Sequence, residues 1–397
     1  MRIPYGKNVY GKEEIVAVVN QLKKTTQMGK NVYQFEKKIA KYFGKKYGVM
    51  VNSGTSALIL AMHVMGIKKD DEIITPALNF GTAISSIIFF KAKPIFVDIE
   101  IDTLQIDIKK IEKKITKRTK ALLIPNLIGN IPDWKKIKFL AKKYNLKILE
   151  DSADTLGAKI DNKTTGMFSD ISITSFYGSH VVSCAGNGGI LLTNNEKIYN
   201  QSKVLRSWGR MSSLLQDSES IKSRLDIKLM GIEYDKKFVF SELGYNFEPS
   251  EIGAAFGLEQ LKKFSKFSKT RNRNFRSHSN FFKNYSEDFI TPNVLQNVKT
   301  NFLAYPIILK RKIKFNRKEL QIYLEAQNIQ TRPIFSGNIL RHPAFQSLIS
   351  KRNKLNDFPN ADYIMKNGIL IGCHQGLGTN ELDYIHKSVK KFLLSRT

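Results

Sequence analysis

Short apolar runs alternate with longer amphipathic stretches along the first two-thirds of the chain. Ile73 to Pro76, Pro94 to Asp98, Ala121 to Pro125, Lys147 to Asp151, Ile171 to Phe176 and Gly189 to Thr193 have the length and residue types of buried strands. Between them, 54–66, Ser85 to Phe90 and Trp134 to Tyr144 carry helical spacing. Strands alternating with helices predict a layered α/β sheet, whose ligands sit beyond the carboxyl ends of the strands. After about residue 260 the pattern changes. A long basic helix is expected over Leu258 to Asn280, then a strand over Leu303 to Leu309. Helices follow over Arg317 to Gln327 and from about Glu381 to Leu394. This predicts a large domain over 1–260 and a smaller α+β domain over 261–397.

Composition narrows the class. Across 397 residues, 42% are hydrophobic, enough for a large core. No apolar run reaches the length of a membrane span, and the first residues lack the apolar stretch of a signal peptide, so a soluble, cytoplasmic chain is expected. Two cysteines, Cys184 and Cys373, imply no disulfide framework and cannot supply four thiolates to an iron–sulfur cluster. No metal site is expected. The formal charge of +29 raises nucleic-acid binding. The lysines are scattered over helical faces, as at Lys135-Lys136 and Lys142-Lys143, so no nucleic-acid partner and no membrane partner are expected; a basic surface also attracts phosphorylated small molecules.

Three segments carry candidate chemistry. Asn52-Ser53-Gly54-Thr55-Ser56-Ala57 is a small, hydroxyl-rich turn opening a helix, which suits a phosphate but is also how ordinary helices are capped. Leu149-Glu150-Asp151-Ser152-Ala153-Asp154 ends a buried strand on acids, which are either solvated strand-end residues or site carboxylates. The third is Ser175-Phe176-Tyr177-Gly178-Ser179-His180, running on through Gly186-Asn187-Gly188-Gly189.

In order and spacing these segments resemble the sugar-aminotransferase family of fold-type-I pyridoxal-phosphate (PLP) enzymes. Arg206-Ser207-Trp208-Gly209-Arg210, Gly244-Tyr245-Asn246 and Thr331 to Asn338 extend the resemblance over essentially the whole chain. It implies a mixed, mostly parallel seven-stranded sheet in the large domain, a cofactor alternating between pyridoxal and pyridoxamine 5′-phosphate (PMP), and a homodimer with shared active sites. One departure changes the expected reaction. Family aminotransferases hold a Schiff-base lysine where this chain has His180. No lysine or arginine occurs from 164 to 196, where the chain's average of 64 in 397 would place about five, so no shifted lysine substitutes. An imidazole cannot form the stable imine that a lysine amine forms, but it is a base near neutral pH. In this the chain is similar to the histidine-bearing sugar 3-dehydratases, and within them to the cluster-free type acting on GDP-linked 4-keto-6-deoxymannose.

The resemblance implies His180 as the catalytic base and Asp151 as partner of the pyridine nitrogen. Phe80 would stack on the ring; Gly54, Thr55, Ser56 and Ser175 would bind the phosphate. Asp154 would lie near the ring hydroxyl, with a shorter arm than the relatives' Gln or Glu. Asn246 would reach the neighbouring subunit's phosphate. Ser179, Arg210 and Arg332 are candidates for holding glutamate or the sugar substrate. Asn187 replaces the family's usual acid. The expected activity removes the C3 hydroxyl of a nucleotide-linked 4-keto-6-deoxy sugar, with L-glutamate restoring the amine form of the cofactor. A nucleotide-sugar 4-aminotransferase and a catalytically silent homologue are the alternatives.

Overall fold

The computed structural model describes residues 2–215 and 220–396. Its large sheet has seven strands: β1 (Tyr47–Val51), β2 (Glu72–Pro76), β3 (Lys93–Val97), β4 (Thr119–Pro125), β5 (Lys147–Asp151), β6 (Ile171–Ser175) and β7 (Gly189–Thr193). Their order is β1-β7-β6-β5-β4-β2-β3. The pairs from β6 through β3 are parallel, while β7 runs antiparallel to both neighbours, so the sheet is mixed but mostly parallel. Nearly every residue of β2, β4, β5, β6 and β7 is buried, as expected of strands covered on both faces.

Helices cover the sheet. They are α1 (Lys12–Leu22), α2 (Lys30–Phe43), α3 (Gly54–Val64), α4 (Gly81–Phe89), α5 (Trp134–Lys143) and α6 (Glu196–Arg206). One face packs α3 and α4 on Val49, Ile73, Leu123, Leu149 and Ile171. The other seats Trp134, Ile137 and Leu140 of α5 against Ile74, Leu122, Ile124 and Ile148. The long basic helix, α7, runs from Glu251 to Lys283, longer at both ends than the pattern indicated. Beyond it lies a four-stranded antiparallel sheet of β8 (Phe289–Ile290), β9 (Ala304–Leu309), β10 (Thr331–Pro333) and β11 (Gly368–Gly372), in the order β8-β9-β11-β10. It is backed by α8 (Arg317–Ala326), α9 (Pro359–Asn367) and α10 (Thr379–Leu394). The proposed division at 260 falls inside α7. No described helix is long and apolar enough to cross a membrane.

The parallel arrangement aligns the carboxyl ends of β2, β4, β5 and β6 along one sheet edge. Pro125, Asp151 and Ser175 end three of these strands, and all three line one cavity.

Candidate active site

That cavity, of about 680 Å³, lies between the strand ends, the start of α3, the loop 176–188 and the second sheet. Of the residues expected at a site, it brings together Gly54, Thr55, Phe80, Asp151, Asp154, Ser175, Ser179, His180 and Arg332.

The start of α3 is built for an anion. Ser53 caps it, its Oγ accepting from the Ser56 N–H at 3.0 Å, so the amides of Gly54 and Thr55 are left at the positive end of the helix. Gly54 is required here: a Cβ would stand 2.9 Å from Ser175 Cβ. Ser56 corrects the sequence expectation. It is buried, absent from the cavity wall, and its hydroxyl donates to Asn52 Oδ1 at 2.6 Å, so it serves the cap and does not face a phosphate.

Two acids sit at the floor. Asp151 accepts one hydrogen bond, from the Ala153 N–H at 3.0 Å, and Asp154 accepts one from the Ile128 N–H at 2.8 Å. Neither is ion-paired to a described residue. Burial pushes Asp151 up to about 6 and Asp154 up to about 7, and the Asp151 charge adds to the second shift. An uncompensated buried carboxylate beside an anion cradle fits a ligand with a cationic ring nitrogen at one end and a phosphate at the other. Phe80 offers a ring face, 57% exposed, held edge-on to Phe335 with centroids 6.2 Å apart.

His180 stands on the loop between β6 and β7. The loop is closed by the Phe176 N–H donating to Gly188 O (2.9 Å) and the Cys184 N–H donating to Phe176 O (3.0 Å). Gly189 lets it approach α3, since a Cβ there would lie 2.2 Å from Ser53 O. His180 Nδ1 lies 3.2 Å from the Ser175 carbonyl. A carbonyl only accepts, so Nδ1 carries the proton and Nε2 keeps a free lone pair. Burial pushes the imidazole down to about 4; the Ser175 carbonyl opposes this and the Arg271 guanidinium adds to it. His180 is therefore a neutral base at physiological pH. No lysine lies among the described residues lining the cavity.

Arg210 is a further correction for a cavity drawn from one subunit, since it does not line it; Asn246, expected at a neighbouring subunit's phosphate, does not line it either. Arg210 lies 4.2 Å from the Trp208 ring centroid, and the Asn246 carbonyl accepts from Asn52 Nδ2 at 3.3 Å. Conversely, the wall contains Tyr5, Asn79, His342 and Phe345, and Arg271 lies fully buried behind His180. None of these stood out in the sequence. Arg271 is one basic residue of 64, and Tyr5 is far along the chain from every motif.

Comparison with known proteins agrees with this geometry. The model of the DegT/DnrJ/EryC1/StrS aminotransferase family matches residues 9–390. The chain belongs to this family. It is 32% identical over 371 residues to a GDP-4-keto-6-deoxy-D-mannose 3-dehydratase of Escherichia coli O55:H7, covering 91% of this chain and 92% of that one. It is also 29% identical over 392 residues to a GDP-perosamine synthase of Escherichia coli O157:H7, covering 98% and 97%. Among solved structures, a GDP-4-keto-6-deoxymannose-3-dehydratase with a trapped PLP-glutamate geminal diamine superposes with a TM-score of 0.87 at 30% identity, covering 97% of this chain and 99% of that one.

Proposed function

We propose that this family member is a coenzyme-B6-dependent 3-dehydratase, which removes the C3 hydroxyl of a nucleotide-linked 4-keto-6-deoxy sugar, with GDP as the nucleotide. The observation that carries the reading is a neutral histidine with a free Nε2 where a tethering lysine would stand, in a cavity whose described wall holds no lysine. Bound coenzyme supplies an amine for the C4 ketone and a ring that takes up electrons. Asp151 would keep the ring nitrogen protonated, Phe80 would pack on the ring face, Gly54, Thr55 and Ser175 would hold the phosphate, and Asp154 would lie toward the ring hydroxyl. His180 Nε2 accepts the proton whose removal sets loss of the C3 hydroxide in motion. Ser179 and Arg332 hold the amino donor, glutamate, or the sugar. Arg210 and Asn246, outside the cavity of their own subunit, belong to a neighbour's site in a homodimer.

The relatives that make GDP-perosamine favour a second reading, a 4-aminotransferase. Mass spectrometry of the products from GDP-4-keto-6-deoxymannose, with glutamate and coenzyme supplied, separates the two. A 3-deoxy-4-keto sugar plus ammonia supports dehydration; a stable 4-amino sugar overturns it. His180→Lys is expected to lose dehydration and gain the absorbance band of a covalently tethered coenzyme. Unchanged dehydration in that variant would exclude His180 as the base.

A further inference from the structure

The first residues of the chain form a strap across one side of the cavity. The Ile3 N–H donates to Asn328 O (2.8 Å), and the Gln330 N–H donates to Ile3 O (2.9 Å). The Pro4 carbonyl accepts from His374 Nε2 at 3.0 Å, and the Tyr5 N–H donates to Gln330 Oε1 at 3.2 Å. Gly6 lies on the histidine loop so closely that a Cβ would stand 2.9 Å from Ser179 Cβ. Further on, Ser183 Oγ donates to Asn8 Oδ1 at 3.2 Å. The strap thus joins the second domain to the loop that carries His180.

The hydrogen bonds of residues 3–5 use the strap's backbone, the Ile3 side chain is buried in the core of the second sheet, and the Tyr5 side chain is turned to the cavity. Tyr5 lines it together with Asp154, Ser179, His180 and Arg332. The Arg332 guanidinium lies 5.8 Å from the Tyr5 ring centroid. Arg332 gives one N–H to Thr331 O at 2.7 Å, and its remaining N–H groups make no hydrogen bond to a described residue. No hydrogen bond joins the Tyr5 hydroxyl to a described residue; burial and the Asp154 charge hold its proton on, against the opposing pull of the Arg271 and Arg332 guanidinium groups. A phenol that keeps its proton, set against a guanidinium at a cavity wall, is a donor pair for a carboxylate: the cation balances the charge and the O–H adds a charge-assisted hydrogen bond.

We propose that Tyr5 is a donor-binding residue, which with Arg332 holds a carboxylate of the amino acid that restores the amine coenzyme, so that the N-terminal strap is part of the active site. This rests on the reading that the cavity takes an amino donor. The test is Tyr5→Phe, which keeps the ring on Arg332 and every backbone contact of the strap. Full-length protein is loaded with PLP, mixed with glutamate, and the absorbance of the bound pyridoxal form is followed. The variant should take up coenzyme as the wild type does and show an apparent KM for glutamate raised roughly tenfold, as loss of one hydrogen bond to a charged group implies. Its limiting rate, and its KM for the nucleotide sugar, should stay within about twofold of wild type. Unchanged glutamate dependence overturns the assignment. So does a shifted absorbance maximum with unchanged glutamate dependence, which would place the hydroxyl on the coenzyme. If wild-type protein itself fails to respond to glutamate or any other α-amino acid, the reading of the cavity falls and this assignment falls with it. A responsive wild type with an identical variant removes the assignment alone.

Discussion

At the scale of single residues, the cavity stores an unbalanced charge. Asp151 is buried with one backbone donor and no cation, and it is pushed from 3.8 to about 6. A raised carboxyl binds its proton more readily folded than unfolded. Its contribution to stability therefore declines as pH rises from about 3.8 through about 6, and is fully lost above. That displacement corresponds to about 3 kcal/mol. Asp151→Asn should stabilise the coenzyme-free protein at pH 8 by up to about 3 kcal/mol and change little at pH 4, read from urea unfolding at the two pH values. The same variant should bind coenzyme more weakly and lose activity, since the ring nitrogen loses its partner. A stability gain equal at both pH values would show that the carboxylate is not the cause. Asp151 and His180 were legible because each sits at a strand end or in a glycine-flanked loop beside a recognisable segment. Tyr5 and Arg271 were not, because they reach the site from distant parts of the chain, where no local pattern marks them. Ser56 misled for a related reason: its hydroxyl could serve cap or ligand, and only the 2.6 Å bond to Asn52 decides between them.

At the scale of elements, most strands were readable because five residues of continuous apolar character between turns leave few alternatives. The start of α7 was not. Its sequence Glu251-Ile252-Gly253-Ala254-Ala255-Phe256-Gly257 has two glycines, which weaken a helical reading. In the structure packing accounts for both. A Cβ at Gly257 would stand 2.6 Å from Cys184 Sγ and 2.7 Å from the Phe35 ring, and one at Gly253 would stand 3.0 Å from Cys184 O. These glycines let α7 lie against α2 and the histidine loop. Glu251 adds a second tie. Gly29, at the capping position before α2, has no side chain to cap it, and the Glu251 carboxylate accepts instead from the N–H groups of Gly29 (2.8 Å), Asn31 (2.6 Å) and Val32 (3.1 Å). An anion at a helix N-terminus, buried and triply bonded, is a strong cap. Glu251→Ala should lower the unfolding free energy by about 2 kcal/mol, because it strands three amides at the start of α2, of which that of Val32 is buried, and Glu251→Gln should cost less. A loss below about 0.5 kcal/mol for the alanine variant, measured by urea unfolding, would show that α2 does not depend on this residue.

At the scale of the whole molecule, the described residues between 206 and 247 leave an apolar surface bare. A two-residue hairpin, Lys228–Leu229 with Ile232–Glu233, leaves Met230 at 104% exposure and Ile232 at 70%, and Leu243 nearby stands at 92%. Two-stranded ribbons this short are not stable alone in water, and apolar side chains this bare call for a cover. The same segment carries Arg210 and Asn246, neither of which lines the candidate site of its own chain. The proposed homodimer would answer both: a second copy of the chain would bury the ribbon and receive Asn246 at its own coenzyme site. A closed twofold arrangement would do this symmetrically, each subunit giving and receiving the same arm. Sedimentation equilibrium should therefore give about 91 kDa, twice the chain mass of 45.3 kDa. Ile232→Asp combined with Leu243→Asp should shift the mass to that of one chain, because each buries a charge in an apolar contact. If the sites are shared, the monomeric variant should keep its cavity yet bind coenzyme at least tenfold more weakly and lose most of its turnover, since one phosphate contact would be missing. Full activity in a proven monomer would break the link between the exposed arm and the active site, and a wild-type mass of about 45 kDa would remove the dimer altogether.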